Sequence, residues 1–137
     1  MKQEDKELLL QDLCARLPYK TKIQLTEYSD LTGEKLPSKI KTLDYCTLGK
    51  AQAYCKGFRK DEIKPYLFPL SSMTEEQKKE YHSIIYRSVE LHYHEYCDVI
   101  DIDFFDVLQE FYLKNLFDYR ELIPKDLALD ATGLNIY

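Results

Sequence analysis

Apolar positions near the start of the chain recur every three to four residues. Leu9, Leu13 and Leu17 fall at i, i+4 and i+8, with Leu10 and Cys14 beside them. That spacing predicts a helix over residues 4–16 with one apolar stripe. Lys2, Gln3, Asp5, Lys6, Asp12 and Arg16 are charged or polar and are assigned largely outside the stripe. Asp5 and Glu7 suit the positive end of the helix dipole, and Pro18 ends the helix because it has no N–H to donate.

The period then shortens to two. Ile23 and Leu25 alternate with Lys22 and Gln24, which predicts a strand over residues 20–28. A turn cluster at Ser29–Glu34 follows. A second strand is expected over 39–48, a tight turn at Gly49-Lys50, and a third strand over 51–56 ended by Gly57. Residues 63–70 read as extended, and Pro65 and Pro69 restrict them to an edge or irregular strand.

The helical period returns at Thr74. Thr74 and Gln77 form a capping box, each side chain meeting the other's backbone N–H. The helix it opens runs to about Leu91, with Tyr81, Ile84, Ile85, Ser88, Val89 and His92 on its inner stripe. Residues 92–102 have no clean period and read as a connection. A last helix is expected from Asp103 as N-cap. Its apolar arc, through Phe104, Leu108, Phe111 and Tyr112, is wide enough to predict a central position. Pro124 closes a turn at 119–123.

These elements describe an α+β protein: an N-terminal helix, a small antiparallel sheet or SH3-like barrel of three to four strands, and a C-terminal helical pair. The length of 137 residues suits a single domain over 1–137, with a helix in 1–18, a β region in 19–70 and a helical region in 71–137. The start is charged and carries only Leu8-Leu9-Leu10 as an apolar run, too short for a secretion signal. No stretch approaches the about 20 apolar residues of a membrane span. A cytoplasmic protein is expected, and its four cysteines (Cys14, Cys46, Cys55, Cys97) then read as reduced, mostly buried thiols.

Charge changes the picture in one respect. The net charge is −5, but residues 1–70 carry 13 Lys/Arg against 10 Asp/Glu and residues 71–137 carry 6 against 14. Within 20–64 the excess is positive and interleaved with aromatics, the pattern of single-strand nucleic-acid grooves. Lys39, Lys41, Tyr54, Lys56, Arg59 and Lys60 are the candidate contacts for that alternative. The bland account is a strand edge guarded by lysine. Residues 90–118 are acidic, with Lys114 the lone cation, and the chain carries 12 tyrosines. Tyr93, Tyr96, Asp98 and Asp101 are therefore the candidate contacts for a protein partner.

Other chemistry finds little support. His92, His94, Cys97, Asp98 and Asp101 include metal-ligating types, but the two histidines at i, i+2 converge only on a strand. Cys97 near His94 lies among acids that disfavour a thiolate. No phosphate-cradling or nucleophile-elbow motif is present. No catalytic residue, metal or cofactor is expected, and a non-enzymatic binding protein is the leading reading. A small enzyme ranks third.

Three segments carry a resemblance: Asp12-Leu-Cys-Ala-Arg-Leu-Pro-Tyr19, Ile63-Lys-Pro-Tyr-Leu-Phe-Pro-Leu-Ser-Ser-Met-Thr-Glu-Glu76, and Phe117-Asp-Tyr-Arg120 with Leu122-Ile123 and Leu127-Ala128. Together they resemble an uncharacterised family of small proteins from Gram-negative gut anaerobes, some associated with prophage or other mobile DNA. The resemblance implies a fixed scaffold around more variable stretches and brings no activity with it. At Asp126 the chain departs from the group, which carries glycine there.

Overall fold

The computed structural model describes residues 2–92 and 97–137, and the side chains of all of these except 88–92 and 97–104. In chain order they form α1 (Gln3–Arg16), β1 (Lys22–Thr26), β2 (Lys39–Thr42), α2 (Tyr45–Cys55), β3 (Glu62–Leu67), α3 (Glu75–His92), α4 (Cys97–Lys114) and β4 (Leu129–Asp130). The protein is α+β. Its strands form one open sheet in the order β2-β1-β3-β4, antiparallel except for the short parallel β3–β4 pair. The second ends of the sheet, β2 and β4, do not pair with each other, so the barrel alternative is not what these strands build.

One face of the sheet is covered by helices. Leu9 and Leu13 of α1, Ala51 of α2, Ile23 and Leu25 of β1, Ile63 of β3 and Leu43 make a continuous buried cluster. A second cluster joins Leu67 to Leu122, Leu127 and Ala128. Each fully buried aliphatic side chain in such a core contributes about 1.5–3 kcal/mol.

The strand expected over 39–48 stops at Thr42, and the one expected over 51–56 is helix α2. The cause is local. Asp44 Oδ1 accepts from Thr47 N at 2.8 Å, and Thr47 Oγ1 accepts from Asp44 N at 2.9 Å. This capping box starts the helix. Thr47, Ala51 and Cys55 are the buried positions, at i, i+4 and i+8. Over so short a stretch Ala51, Ala53 and Cys55 also fit a period of two, and the cap decides between them. Gly57, at φ +81°, ends α2 with a Schellman pair: Phe58 N donates to Ala53 O (2.9 Å) and Gly57 N to Tyr54 O (3.0 Å). The region 19–70 thus holds a helix, and the region 71–137 holds β4.

Pro65 lies in an interior strand without cost. Ala131 N donates to Leu67 O, so Leu67 addresses β4. By the two-residue alternation Pro65 and Ile63 address that same side, while Tyr66 and Lys64 address β1. β4 begins at Leu129, whose pairing with Tyr66 uses the Pro65 C=O as acceptor. Among the described residues no strand residue stands where an N–H of residue 65 would donate, so the missing donor costs no ladder bond. At Tyr66 the ladder is bridged by a side chain. The Tyr137 hydroxyl accepts from Lys22 N (2.8 Å) and donates to Tyr66 O (2.7 Å). Burial pushes the Tyr137 phenol up to about 12.

α3 begins at the capping box read from the sequence: Thr74 N donates to Gln77 Oε1 (2.8 Å) and Gln77 N to Thr74 Oγ1 (3.2 Å). α4 starts at Cys97, six residues earlier than Asp103, so most of the expected connection over 92–102 is helix. The pair is not central. α3 and α4 make their principal contacts with each other, and the helices on the sheet are α1 and α2. Where the pair leaves and rejoins the sheet, Phe68 N donates to Leu116 O (2.9 Å) and Asp118 N to Phe68 O (2.8 Å). Two of the described cysteines, Cys14 and Cys46, are exposed, contrary to expectation. Cys55 is buried, and burial pushes its thiol up. Among the described residues no helix is long and apolar enough to cross a membrane.

Candidate interaction surfaces

The strongest electrostatic feature is buried. Asp12 and Arg16 are both fully inaccessible, with Arg16 Nε 2.6 Å from Asp12 Oδ2. Arg16 Nη2 donates to Phe117 O at 2.7 Å, tying α1 to the segment after α4. Arg120 Nε lies 3.4 Å from Asp12 Oδ1, and both Arg16 and Arg120 face the ring of Tyr119. Burial raises the Asp12 carboxyl, and Arg16 only partly opposes this. Asp118 accepts from Leu122 N and Ile123 N, both at 2.8 Å, and so shapes the turn that follows. Neither Asp12 nor Arg16 reaches the surface. The role of the cluster is to hold the base of the helical pair to α1. Asp126, in the segment that follows, takes φ +59°, a conformation aspartate tolerates.

Sequence reading placed Asp12 and Arg16 outside the stripe because they are charged. Their positions said otherwise. Leu9, Asp12, Leu13 and Arg16 fall at i, i+3, i+4 and i+7, the stripe's own spacing. An aspartate four residues before an arginine was the available signal that both charges could be buried together.

The helical pair carries accessible apolar side chains. No side chain of α3 from Glu75 to Arg87 is fully buried, and the described part of α4 is buried only at Phe111 and Leu113. The base is aromatic: Tyr81 meets Phe111 and Tyr112, and Tyr112 stacks on Tyr119 with centroids 5.2 Å apart. Burial, with Tyr81 adding to it, pushes the Tyr112 phenol up to about 12. Polar ties also sit there, from Gln77 Nε2 to Asn115 Oδ1 (3.2 Å) and from Lys114 Nζ to Glu80 Oε1 (2.6 Å). Further out Tyr86 and Phe105 are 65% exposed and Val107 is 48% exposed. Two shallow clefts flank them, one of about 300 Å³ by Leu108, Gln109, Tyr112 and Arg120, the other of about 540 Å³ by Lys79, His82, Ile85 and Tyr86. α4 carries Asp98, Asp101, Asp103, Asp106 and Glu110 against Lys114 alone.

Of the residues singled out for a protein partner, Tyr93 and Tyr96 lie outside the described residues. Asp98 and Asp101 belong to the first turns of α4, and their side chains lie outside the description. The residues singled out for nucleic acid are dispersed. Lys39 and Lys41 sit on β2, whose four residues are all exposed, and pair with Leu25 and Ile23. They are thus charges set on the core face of an edge strand, which guards it against pairing. Lys50 chiefly, and Lys39 and Lys41 more weakly, hold the Glu27 carboxyl below its ordinary range. Tyr54 and Lys56 are at the end of α2, with Lys6 Nζ 5.4 Å from the Tyr54 ring centre. Arg59 is bound to Asp61 at 2.7 Å, and Lys60 follows it in the loop before β3. Among the described residues no group of His, Cys, Asp and Glu is placed to hold a metal ion. No protein-family model, no curated protein and no solved structure matches this chain.

Proposed function

We propose that this chain is a non-enzymatic protein-interaction module, and that the arm formed by α3 and α4 docks a basic partner protein. The observation that carries the reading is the arm itself. Tyr86 and Phe105 are well exposed and Val107 nearly half exposed on a helical pair whose principal contacts are between its own two helices. Apolar side chains clustered on a projecting element mark an interaction site more often than isolated ones do. α4 carries five acids against Lys114 alone, which favours a partner with lysine or arginine around an apolar anchor.

The test is affinity capture from a host lysate with and without nuclease, using the full chain and a Tyr86→Ser/Val107→Ser variant. Both side chains are exposed, so the variant retains the fold. A discrete protein partner that survives nuclease and is lost with the variant supports the reading. Capture that the variant retains, or that nuclease abolishes, refutes it.

A further inference from the structure

β2 is an end strand of the sheet. Among the described residues it pairs with β1 alone, and all four of its residues are exposed, so neither its faces nor its outer edge is covered. The direction of its backbone groups follows from the ladder. Leu43 N donates to Thr21 O at 2.8 Å, so Leu43, Lys41 and Lys39 address β1 by the two-residue alternation. Lys22, which stands opposite Thr42, agrees, because its N–H and C=O turn away from β2 to the Tyr137 hydroxyl. Ile40 and Thr42 therefore point their N–H and C=O groups out of the open edge.

The side chains along this edge carry one sign of charge. From Lys35 to Leu43 the chain has Lys35, Lys39 and Lys41 and no acid. The acids that flank the run are Glu34 and Asp44, and Asp44 is engaged as the cap of α2. Glu27 is held by Lys50 at 3.0 Å. Among the described residues Lys39 and Lys41 form no ion pair. They stand on one face of the strand, two residues and so about 6.6 Å apart. Ile40, 52% exposed, lies between them on the other face.

We propose that β2 takes up an acidic extended segment of another protein as an added strand. Its Asp or Glu residues, at alternate positions, lie beside Lys39 and Lys41, and an apolar residue between them lies beside Ile40. The outward N–H and C=O groups of Ile40 and Thr42 supply the backbone pairing, which gives affinity in this mode while side chains give selectivity. Opposite charges on neighbouring strands attract and like charges repel. The lysines that keep two copies of this edge apart are thus the groups that select an acidic strand. The edge belongs to a different element from the α3–α4 arm, and the inference stands without that reading.

The experiment pans a phage-displayed library of random seven-residue peptides against the full chain and against a Lys39→Glu/Lys41→Glu variant. Both lysines are exposed, so the variant is expected to keep the parent's circular dichroism and unfolding midpoint. The parent should enrich peptides with acids at alternate positions. The variant should lose these and enrich lysine or arginine in their place. A selected peptide, synthesised and added at about ten times its Kd, should slow exchange of the Ile40 and Thr42 amides in the parent about tenfold, because exchange then waits on release. The Lys41 amide, already directed to β1, should be unchanged. Failure to enrich any peptide, enrichment without acids, acidic peptides that the variant retains, or protection on α3 and α4 in place of β2 would overturn the proposal. So would a single-stranded oligonucleotide that binds through these two lysines while no acidic peptide is enriched.

Discussion

Replacing Arg16 by methionine probes the buried cluster most directly. The guanidinium has no exposed surface, holds Asp12 at 2.6 Å and donates to Phe117 O at 2.7 Å. Methionine keeps much of the volume and removes both interactions. Asp12 is then left buried with Arg120 at 3.4 Å as its nearest counter-charge, and Phe117 O loses a donor. Breaking a buried pair by removing one partner costs about 3–5 kcal/mol, a large share of the about 5–15 kcal/mol that holds a domain together. Urea unfolding followed by circular dichroism reads that loss directly, and thermal unfolding is expected to fall by about 10–20 °C. The double variant Asp12→Leu/Arg16→Met is expected to recover most of the loss, since no charge is then stranded. Acidity supplies a further check. A carboxyl raised by burial contributes stability that is present below its unfolded value and lost as pH rises through the folded one. The single variant's deficit should therefore shrink on acidification. A single variant within about 1 kcal/mol of the parent at neutral pH, or a double variant no better than the single, would refute the account.

Other consequences are independent of that cluster. Tyr137→Phe removes the hydroxyl between Lys22 N and Tyr66 O and should cost about 1–3 kcal/mol in the same unfolding assay. Because burial raises the Tyr137 phenol from 10.0 to about 12, its contribution is complete below the lower value and fades as pH rises through the upper one, so parent and variant should converge in strong alkali. Asp44→Ala should destabilise α2 at neutral pH. The Thr47 N–H holds the Asp44 carboxyl below its ordinary range, so that stabilisation disappears as pH falls through the folded value and the variant's deficit should vanish in acid. Thr74→Ala should weaken the start of α3 by about 1 kcal/mol, seen as faster amide exchange in the first turn without change in the sheet. Lys39→Val/Lys41→Val should make the edge strand β2 adhesive, and sedimentation velocity should then show oligomers absent from the parent.

Local signals read well from the sequence where one physical rule acted alone. Thr74 and Gln77 announce a capping box and form one, because both partners lie within a single turn. Leu9 and Leu13 mark the buried side of α1, and Ile23 and Leu25 that of β1. Reading failed where two rules competed. Ala51, Ala53 and Cys55 satisfy both periods, and the Asp44–Thr47 cap that settles the matter looked like part of a strand. Asp12 and Arg16 hold core positions that charge alone argued against. Their burial depends on Phe117 O and Arg120, contacts made over a hundred residues of chain. The wide apolar arc of α4 suggested a central helix, yet apolar width does not say whether the covering surface belongs to the same chain. The candidate site was legible only as composition, an acidic tyrosine-bearing stretch. That it stands on an arm follows from how Phe68 and Leu116 meet.

That meeting has an architectural consequence. Since Phe68 and Leu116 are hydrogen-bonded to each other, everything between them is an excursion that departs from and returns to one point of the sheet. Its fixed points lie at the base, where Phe111 and Leu113 are buried and Tyr112 stacks on Tyr119. The body is completed by Phe117–Tyr137, which supplies β4, the partner atoms of Arg16 and the Tyr137 bridge. The helical pair is therefore a cassette. A different helical pair that keeps the packing at Phe111, Leu113 and Tyr112 could replace it while the register of the sheet is left intact.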